Sequence, residues 1–134
     1  MSTDDEIRWR QIFDNYEKAF QELKKHKDTA FDSNLQKAGY IHYFEVALEF
    51  AERVMYAYLD AKGHSADTPR KAVKELSKLG IIQNPQTWFK AQNRRKLPLY
   101  IHKNDKLFDE LIIDIDGTYL PELELFWETL NQVK

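Results

Sequence analysis

The sequence predicts an all-α fold, an up-and-down helical bundle with three long and two short helices in a single domain spanning residues 1–134. Apolar residues recur at steps of three and four along most of the chain, and no segment alternates cleanly with period two. The 134 residues include only four glycines and four prolines, which is few for an all-β chain with many turns. A chain of this length can bury a core of its own as one domain.

The first long helix is predicted from about Asp4 to His26. Its apolar residues form one stripe of an amphipathic helix. The basic residues at its end suit a helix C-terminus, and we interpret them as a solvated helix end. A loop over residues 27–34 follows. The stripe consists of Trp9, Ile12, Phe13, Tyr16, Ala19, Phe20 and Leu23.

The second long helix is predicted from about Ser33 to Lys62, with Gly63 as a good residue for its C-terminal end. Gly39 is the only glycine inside it, tolerated at a cost of about 1 kcal/mol relative to alanine. The apolar arc of this helix is too broad for one neighbour. We therefore expect it to be central in the bundle, or to contact a second subunit as well.

Two short helices are predicted next, and each begins with an N-cap residue followed by proline. Thr68 precedes Pro69 and Asn84 precedes Pro85, and a polar residue before a proline is typical of an N-cap and the first helical position. The first short helix is expected to stop at Gly80, and the second leads into a basic stretch.

The last long helix is predicted to begin at Asn104 or Asp105 and to carry a continuous apolar stripe to Leu130. Pro121 should kink this helix, because its ring meets the backbone carbonyl of Gly117.

Composition excludes several classes of protein. The chain has no cysteine, which excludes disulfides and thiolate zinc sites and fits a reducing compartment. Its formal net charge of −2 argues against broad, non-specific binding of nucleic acid. The acidic N-terminal segment is unlike a signal peptide, and no apolar run approaches the roughly 20 residues of a membrane span. We therefore expect a cytoplasmic protein with no membrane partner.

The string LIIDIDGTYL, Leu111 to Leu120, looks like the nucleophile motif of haloacid-dehalogenase phosphatases. That motif ends a strand of a long α/β domain, whereas this string lies in a predicted helix near the chain's end. We interpret its aspartates as polar positions on a helix, with a glycine at the kink. The four histidines do not pair at helical spacing, and no glycine-rich phosphate loop is present. No metal and no cofactor are expected.

The basic stretch Asn93 to Asp105, NRRKLPLYIHKND, interrupts the helical pattern and is the candidate site. The plainer interpretation is a solvated helix end whose cations complement the helix dipole. The alternative is phosphate chemistry, in which an arginine clamps a phosphodiester and a histidine acts as general acid or base on a ribose 2′-hydroxyl. The residues for that chemistry would be Arg94, Arg95, Tyr100 and His102.

Gly39 to Gly63, GYIHYFEVALEFAERVMYAYLDAKG, followed by TPRKAVKELSKLGII and the Trp88-Phe89 segment, resembles the nucleotidyltransferase substrate-binding proteins. These are small helical partners of minimal nucleotidyltransferases within the wider HEPN group. The resemblance implies a HEPN-like bundle that forms a homodimer through long helices. It also implies a separately encoded nucleotidyltransferase subunit that carries the metal and the nucleotide.

Some relatives in that group are ribonuclease toxins of toxin–antitoxin pairs. Their site is an arginine, four residues, a histidine, one residue and a tyrosine. Counting from Arg95, Tyr100 occupies the histidine position and His102 occupies the tyrosine position, so the two side chains are exchanged. Such an exchange would displace the imidazole by several ångströms, whereas catalytic geometry tolerates about 0.5 Å.

Two hypotheses follow. The first is a dimeric accessory subunit that presents a nucleotide or RNA substrate, or itself, to a minimal nucleotidyltransferase. Its binding residues would be Arg94, Arg95, Tyr100 and His102, with Glu45 either an inward-facing carboxylate near them or an ordinary surface glutamate. The alternative is a metal-independent ribonuclease whose catalytic residues would be Arg95, His102 and Tyr100.

Overall fold

The computed structural model describes residues 3–95 and 105–134, which form an all-α bundle with no strand among them. This confirms the predicted fold class. Tyr100 and His102 lie outside the described residues. The helices are α1 (Thr3–Lys25), α2 (Asn34–Ala61), α3 (Pro69–Lys78), α4 (Pro85–Arg94), α5 (Asp105–Asp114) and α6 (Leu120–Val133), with a π-helical turn at Ile115–Tyr119 between the last two.

Helices α1 and α2 pack as an antiparallel pair. Near one end the rings of Trp9 and Tyr58 meet edge to face, with centroids 5.1 Å apart. Near the other end the rings of His26 and Tyr43 stack, with centroids 5.9 Å apart. The centre of the predicted α1 stripe is fully buried, whereas its members Ile12 and Ala19 are only partly buried. Helix α2 also packs against α3 and α5, so it is the central helix, as predicted.

The short helices begin where the sequence predicted. The hydroxyl oxygen of Thr68 caps α3 by accepting a hydrogen bond from the backbone N–H of Lys71 at 3.2 Å. Asn84 makes no such bond, so at α4 the start rests on Pro85 and its fixed φ. Gly63 and Gly80 follow α2 and α3 with φ of +78°, the left-handed conformation that glycine adopts without strain.

The predicted last helix is interrupted by the π-helical turn. The backbone N–H of Leu120 donates to the carbonyl of Ile115, five residues back instead of four. Pro121 has no N–H to donate, and in a regular α-helix its ring would meet the Gly117 carbonyl. The irregularity expected at Pro121 thus takes the form of a widened turn just before it, with Gly117 inside.

Among the described residues, no helix combines the length and the apolar character needed to cross a membrane.

Candidate functional site

The two arginines of the candidate site lie at the C-terminal end of α4. Arg94 is the last residue of the helix and Arg95 caps it, with the Arg95 N–H donating to the carbonyl of Ala91 at 3.2 Å. Both side chains are partly buried. The chain therefore enters residues 96–104, which contain Tyr100 and His102, from a fixed helix end.

Arg95 forms a two-pronged ion pair with Glu52 of α2. Its Nη1 donates to Glu52 Oε1 at 2.5 Å, and its Nη2 donates to Glu52 Oε2 at 3.1 Å. Gln92, one turn earlier on α4, donates from Nε2 to the same Oε2 at 3.0 Å. Only 6% of Glu52 is exposed, yet its two oxygens accept three hydrogen bonds. A buried carboxylate is stable in such a position because its charge is paired and its acceptors are filled.

Glu52 is a residue of the site that sequence reasoning missed. It lies on α2 among buried apolar residues, directly after Ala51 and one turn before Met55. A lone acid in a broad apolar arc is a usable signal, because charged residues are almost never fully buried unless they are paired. The identity of its partner could not be found in the same way, since Arg95 is distant in sequence and the two meet only when α4 packs in the bundle.

Arg94 contacts the C-terminal part of the chain, at the end of α5. Its Nη1 donates to Asp114 Oδ2 at 2.6 Å, at the end of α5. Burial opposes the charged form of Arg94, but the hydrogen bonds to Asp114 and Tyr119 outweigh it and raise the pKa of the guanidinium. The pair joins the end of α4 to the start of the π-helical turn.

Both aspartates of the LIIDIDGTYL string lie on helical turns, and each one has a hydrogen-bond partner elsewhere in the chain. Asp114 pairs with Arg94, and Asp116 accepts hydrogen bonds from the hydroxyl of Tyr40 and from the backbone N–H of Asp28, the latter at 3.2 Å. The described segment that leads into them, from residue 105, is helical and contains no strand. The interpretation as polar helix positions is confirmed, and the phosphatase motif is excluded.

Glu45 lies two turns before Glu52 on the same face of α2. Its side chain is partly buried, and within the described part of the chain no hydrogen bond reaches its carboxylate. Burial raises the pKa of Glu45, and the nearby charges of His42 and Arg95 only partly oppose this. Glu45 is therefore a partly buried carboxylate that feels the charge of Arg95, and its position relative to Tyr100 and His102 lies outside the described residues.

The arrangement favours binding and positioning over phosphate clamping. Arg95 has two of its donors on Glu52, and Arg94 is paired with Asp114. Both arginines are thus neutralised within the chain, while the Glu45 carboxyl is held in a poorly solvated position. Across residues 3–95 and 105–134, no group of three or more histidines, aspartates and glutamates is placed to hold a metal ion.

Comparison with protein families gives a match over most of the chain. The family model described as "Nucleotidyltransferase substrate binding protein like" matches residues 11–132, which is most of the chain and includes every residue of the candidate site. No match was found among curated proteins.

Proposed function

The chain belongs to the nucleotidyltransferase substrate binding protein like family, and we propose that it is the accessory, substrate-binding subunit of a two-component minimal nucleotidyltransferase. In this proposal it is a HEPN-like homodimer in the cytoplasm, and a separately encoded subunit supplies the nucleotide and its metal. The edge formed by Arg94, Arg95, Tyr100, His102 and Glu45 would face that partner or its substrate.

The observation that carries the proposal is the ion pair of Arg95 with Glu52. Holding a planar guanidinium by two parallel bonds fixes both its position and its orientation. The pair therefore anchors the C-terminal end of α4 to the central helix. A fixed arginine favours binding to a second protein, because less conformational freedom is lost when the complex forms.

A homodimer is supported by the outer face of the α1–α2 pair. The apolar side chains of Ile12, Ala19 and Phe50 are only partly buried there, although they pack against the core. Tyr56 lines the same surface groove as Phe50 and Ile12. Tyr56 also follows Glu52 by one turn of α2, so this groove lies close to the ion pair of Glu52 with Arg95. Two copies joined through this surface would bring their two ion pairs near each other.

Size-exclusion chromatography with light scattering tests the proposal. The purified chain alone should have twice the mass of one chain at micromolar concentration. Mixed with the minimal nucleotidyltransferase proposed as its partner, it should elute together with that enzyme. Phe50→Arg should reduce the chain alone to a monomer, because the cation would lie inside the proposed interface. The matched control is Ile113→Arg on α5, at a residue that is 68% exposed and lies outside the α1–α2 pair. A monomer that forms no complex with the enzyme would refute the proposal.

The alternative function is a metal-independent ribonuclease with Arg95, His102 and Tyr100 as catalytic residues. It has less support, because the donors of Arg95 that would clamp a phosphate already bind Glu52. The test is incubation of the purified chain with RNA in EDTA beside a His102→Ala variant. Cleavage by the parent chain that disappears in the variant would reverse the order of the two hypotheses.

A further inference from the structure

Gly39 is an internal helix residue whose identity nothing within the described chain explains. It lies in the early part of α2 and is exposed, and its φ is not positive. Apart from its chain neighbours and its own helix backbone, a Cβ added there would meet no described heavy atom within 4 Å. Glycine weakens a helix relative to alanine, so an unneeded glycine lowers stability without any packing benefit inside the chain. Among the described residues the space above Gly39 is open, so a ligand could approach the helix backbone there.

That space is part of a groove of about 450 Å³ between α2 and the loop after α1. Ligand sites in proteins commonly have volumes of about 300–1,000 Å³ and mainly apolar walls. Here the walls are aromatic. The ring planes of His26 and Tyr43 are parallel within 3°, and the rings of Phe31 and Tyr40 meet with centroids 5.1 Å apart.

The loop wall of the groove is fixed in place. Asp28 has a left-handed backbone with φ of 61°, and its N–H donates to Asp116 in the π-helical turn. The same carboxylate accepts the hydroxyl hydrogen of Tyr40. Farther along the loop, the N–H of Asp32 donates to Gln36 Oε1 at 2.7 Å. The groove therefore exists before a ligand arrives, which lowers the cost of binding.

The polar groups of the groove include both donors and acceptors. Asp32 contributes a carboxylate, Thr29 a hydroxyl, and Gln36 a side-chain amide whose nitrogen can still donate. A flat ring with donors and acceptors along its edge matches this set, and its face can lie over Gly39, where no Cβ intervenes. Aromatic side chains stack on nucleobases of any type.

We propose that the groove between α2 and residues 26–32 is a binding site for a nucleobase, which stacks on Tyr43 and His26 above Gly39 and uses Asp32, Thr29 and Gln36 at its edge. The base would come from a free nucleotide or from an exposed nucleotide of an RNA strand. The site shares no residue with the edge at Arg94 and Arg95, so it is independent of the function proposed above.

The test is a titration of the full chain followed by NMR chemical-shift changes. The probes are adenosine monophosphate, a short single-stranded oligoadenylate and, for comparison, methylguanidinium. Shifts centred on Gly39 and Tyr43 with either of the first two are expected, and the probe that binds more tightly identifies the source of the base. Tyr43→Ala should weaken binding about 10-fold or more, because stacking on that ring is lost.

Gly39→Leu separates binding from folding. Leucine is a good helix former and the space is open, so the thermal midpoint should rise while base binding falls at least about 10-fold. The matched control is Ala38→Leu, at the adjacent exposed position of α2 that does not line the groove, and it should leave binding unchanged. Tighter binding of methylguanidinium than of either base probe, no shifts with the base probes at millimolar concentration, or full binding by Gly39→Leu would each overturn the proposal.

Discussion

Glu45 and Glu52 lie two turns apart on one face of α2, yet their surroundings differ sharply. Glu52 is almost fully buried and accepts three hydrogen bonds from Arg95 and Gln92. Glu45 is partly buried and receives no hydrogen bond within residues 3–95 and 105–134, and burial raises its pKa. Both lie near Arg95, but only one is paired with it.

The difference separates a residue that positions Arg95 from one whose carboxylate receives no hydrogen bond among the described residues. Replacing one member of a buried ion pair leaves the other charge without a partner, so Glu52 should be needed for folding. A carboxylate held in a poorly solvated position gains free energy when a donor or cation arrives. Glu45 should therefore matter little for folding, and we expect it to matter for contact with the partner or substrate.

The largest expected effect is that of Glu52→Gln. The neutral amide turns an N–H₂ group toward the donors of Arg95 and Gln92 and leaves the guanidinium without its counter-charge. We expect a loss of about 2–3 kcal/mol in the free energy of unfolding, below the full range for buried pairs because Arg95 is partly exposed. Urea denaturation followed by circular dichroism measures it.

The control for this change is Glu49→Gln, on the same helix. Glu49 pairs with Arg53 at 2.7 Å, but both side chains are more than half exposed. Such surface pairs contribute about 0–1 kcal/mol, so the control should be near neutral. Equal losses in the two variants would show that the Glu52 pair has no special structural role.

A smaller effect is expected for Arg95→Lys. Lysine keeps the charge but cannot form two parallel hydrogen bonds with both oxygens of Glu52. One hydrogen bond to a charged group contributes about 1.5–3 kcal/mol. Because Arg95 is partly exposed, the unfolding free energy should fall by less, about 1–2 kcal/mol. The control is the same urea titration of Arg53→Lys, at an exposed ion pair. An equal loss in both variants would show that the two parallel hydrogen bonds of Arg95 add no stability of their own.

The smallest effect, and one of opposite sign, is expected for Glu45→Gln. Because burial raises its pKa, folded Glu45 holds its proton more tightly than the unfolded chain does. The wild-type protein therefore loses stability as the pH rises from the ordinary glutamate pKa of about 4.3 through the raised folded value. The variant lacks this loss, so it should be the more stable protein at pH 7, by about 0.5 kcal/mol or less because solvent screens the carboxylate.

Urea titrations of both proteins at pH 4 and pH 7 measure that difference. The advantage of Glu45→Gln should be present at pH 7 and absent at pH 4. An advantage that grows toward low pH would mean that the Glu45 carboxylate is stabilised in the folded chain, like that of Glu52, and the contrast between the two would fail.

Local chemistry made much of the fold predictable. Thr68 and Pro69 determine the start of α3 from adjacent residues, and the spacing of Trp9, Phe13 and Tyr16 gives the buried face of α1. Each of these features depends on interactions within a few residues. The sequence predicted an irregularity at Pro121 but not its form. A kink and a π-helical turn both accommodate the missing N–H of proline.

The candidate site was only partly predictable, because its contacts join distant parts of the chain. The basic stretch could be identified, but the partners Glu52 for Arg95 and Asp114 for Arg94 follow from long-range side-chain contacts of the C-terminal end of α4. The same holds for Asp116, which bonds to Tyr40 across the bundle. The roles of Tyr100 and His102 remain predictions from the sequence.

We propose that the nucleotidyltransferase partner binds at the edge containing Arg94, Arg95 and Glu45. Hydrogen–deuterium exchange of the chain with and without that partner tests this proposal most directly. We expect slower exchange over residues 93–105 and over the turn of α2 around Glu45, with no slowing at the exposed end of α6. Slowing that is confined to surfaces away from this edge, in a complex that does form, would refute the proposed binding edge.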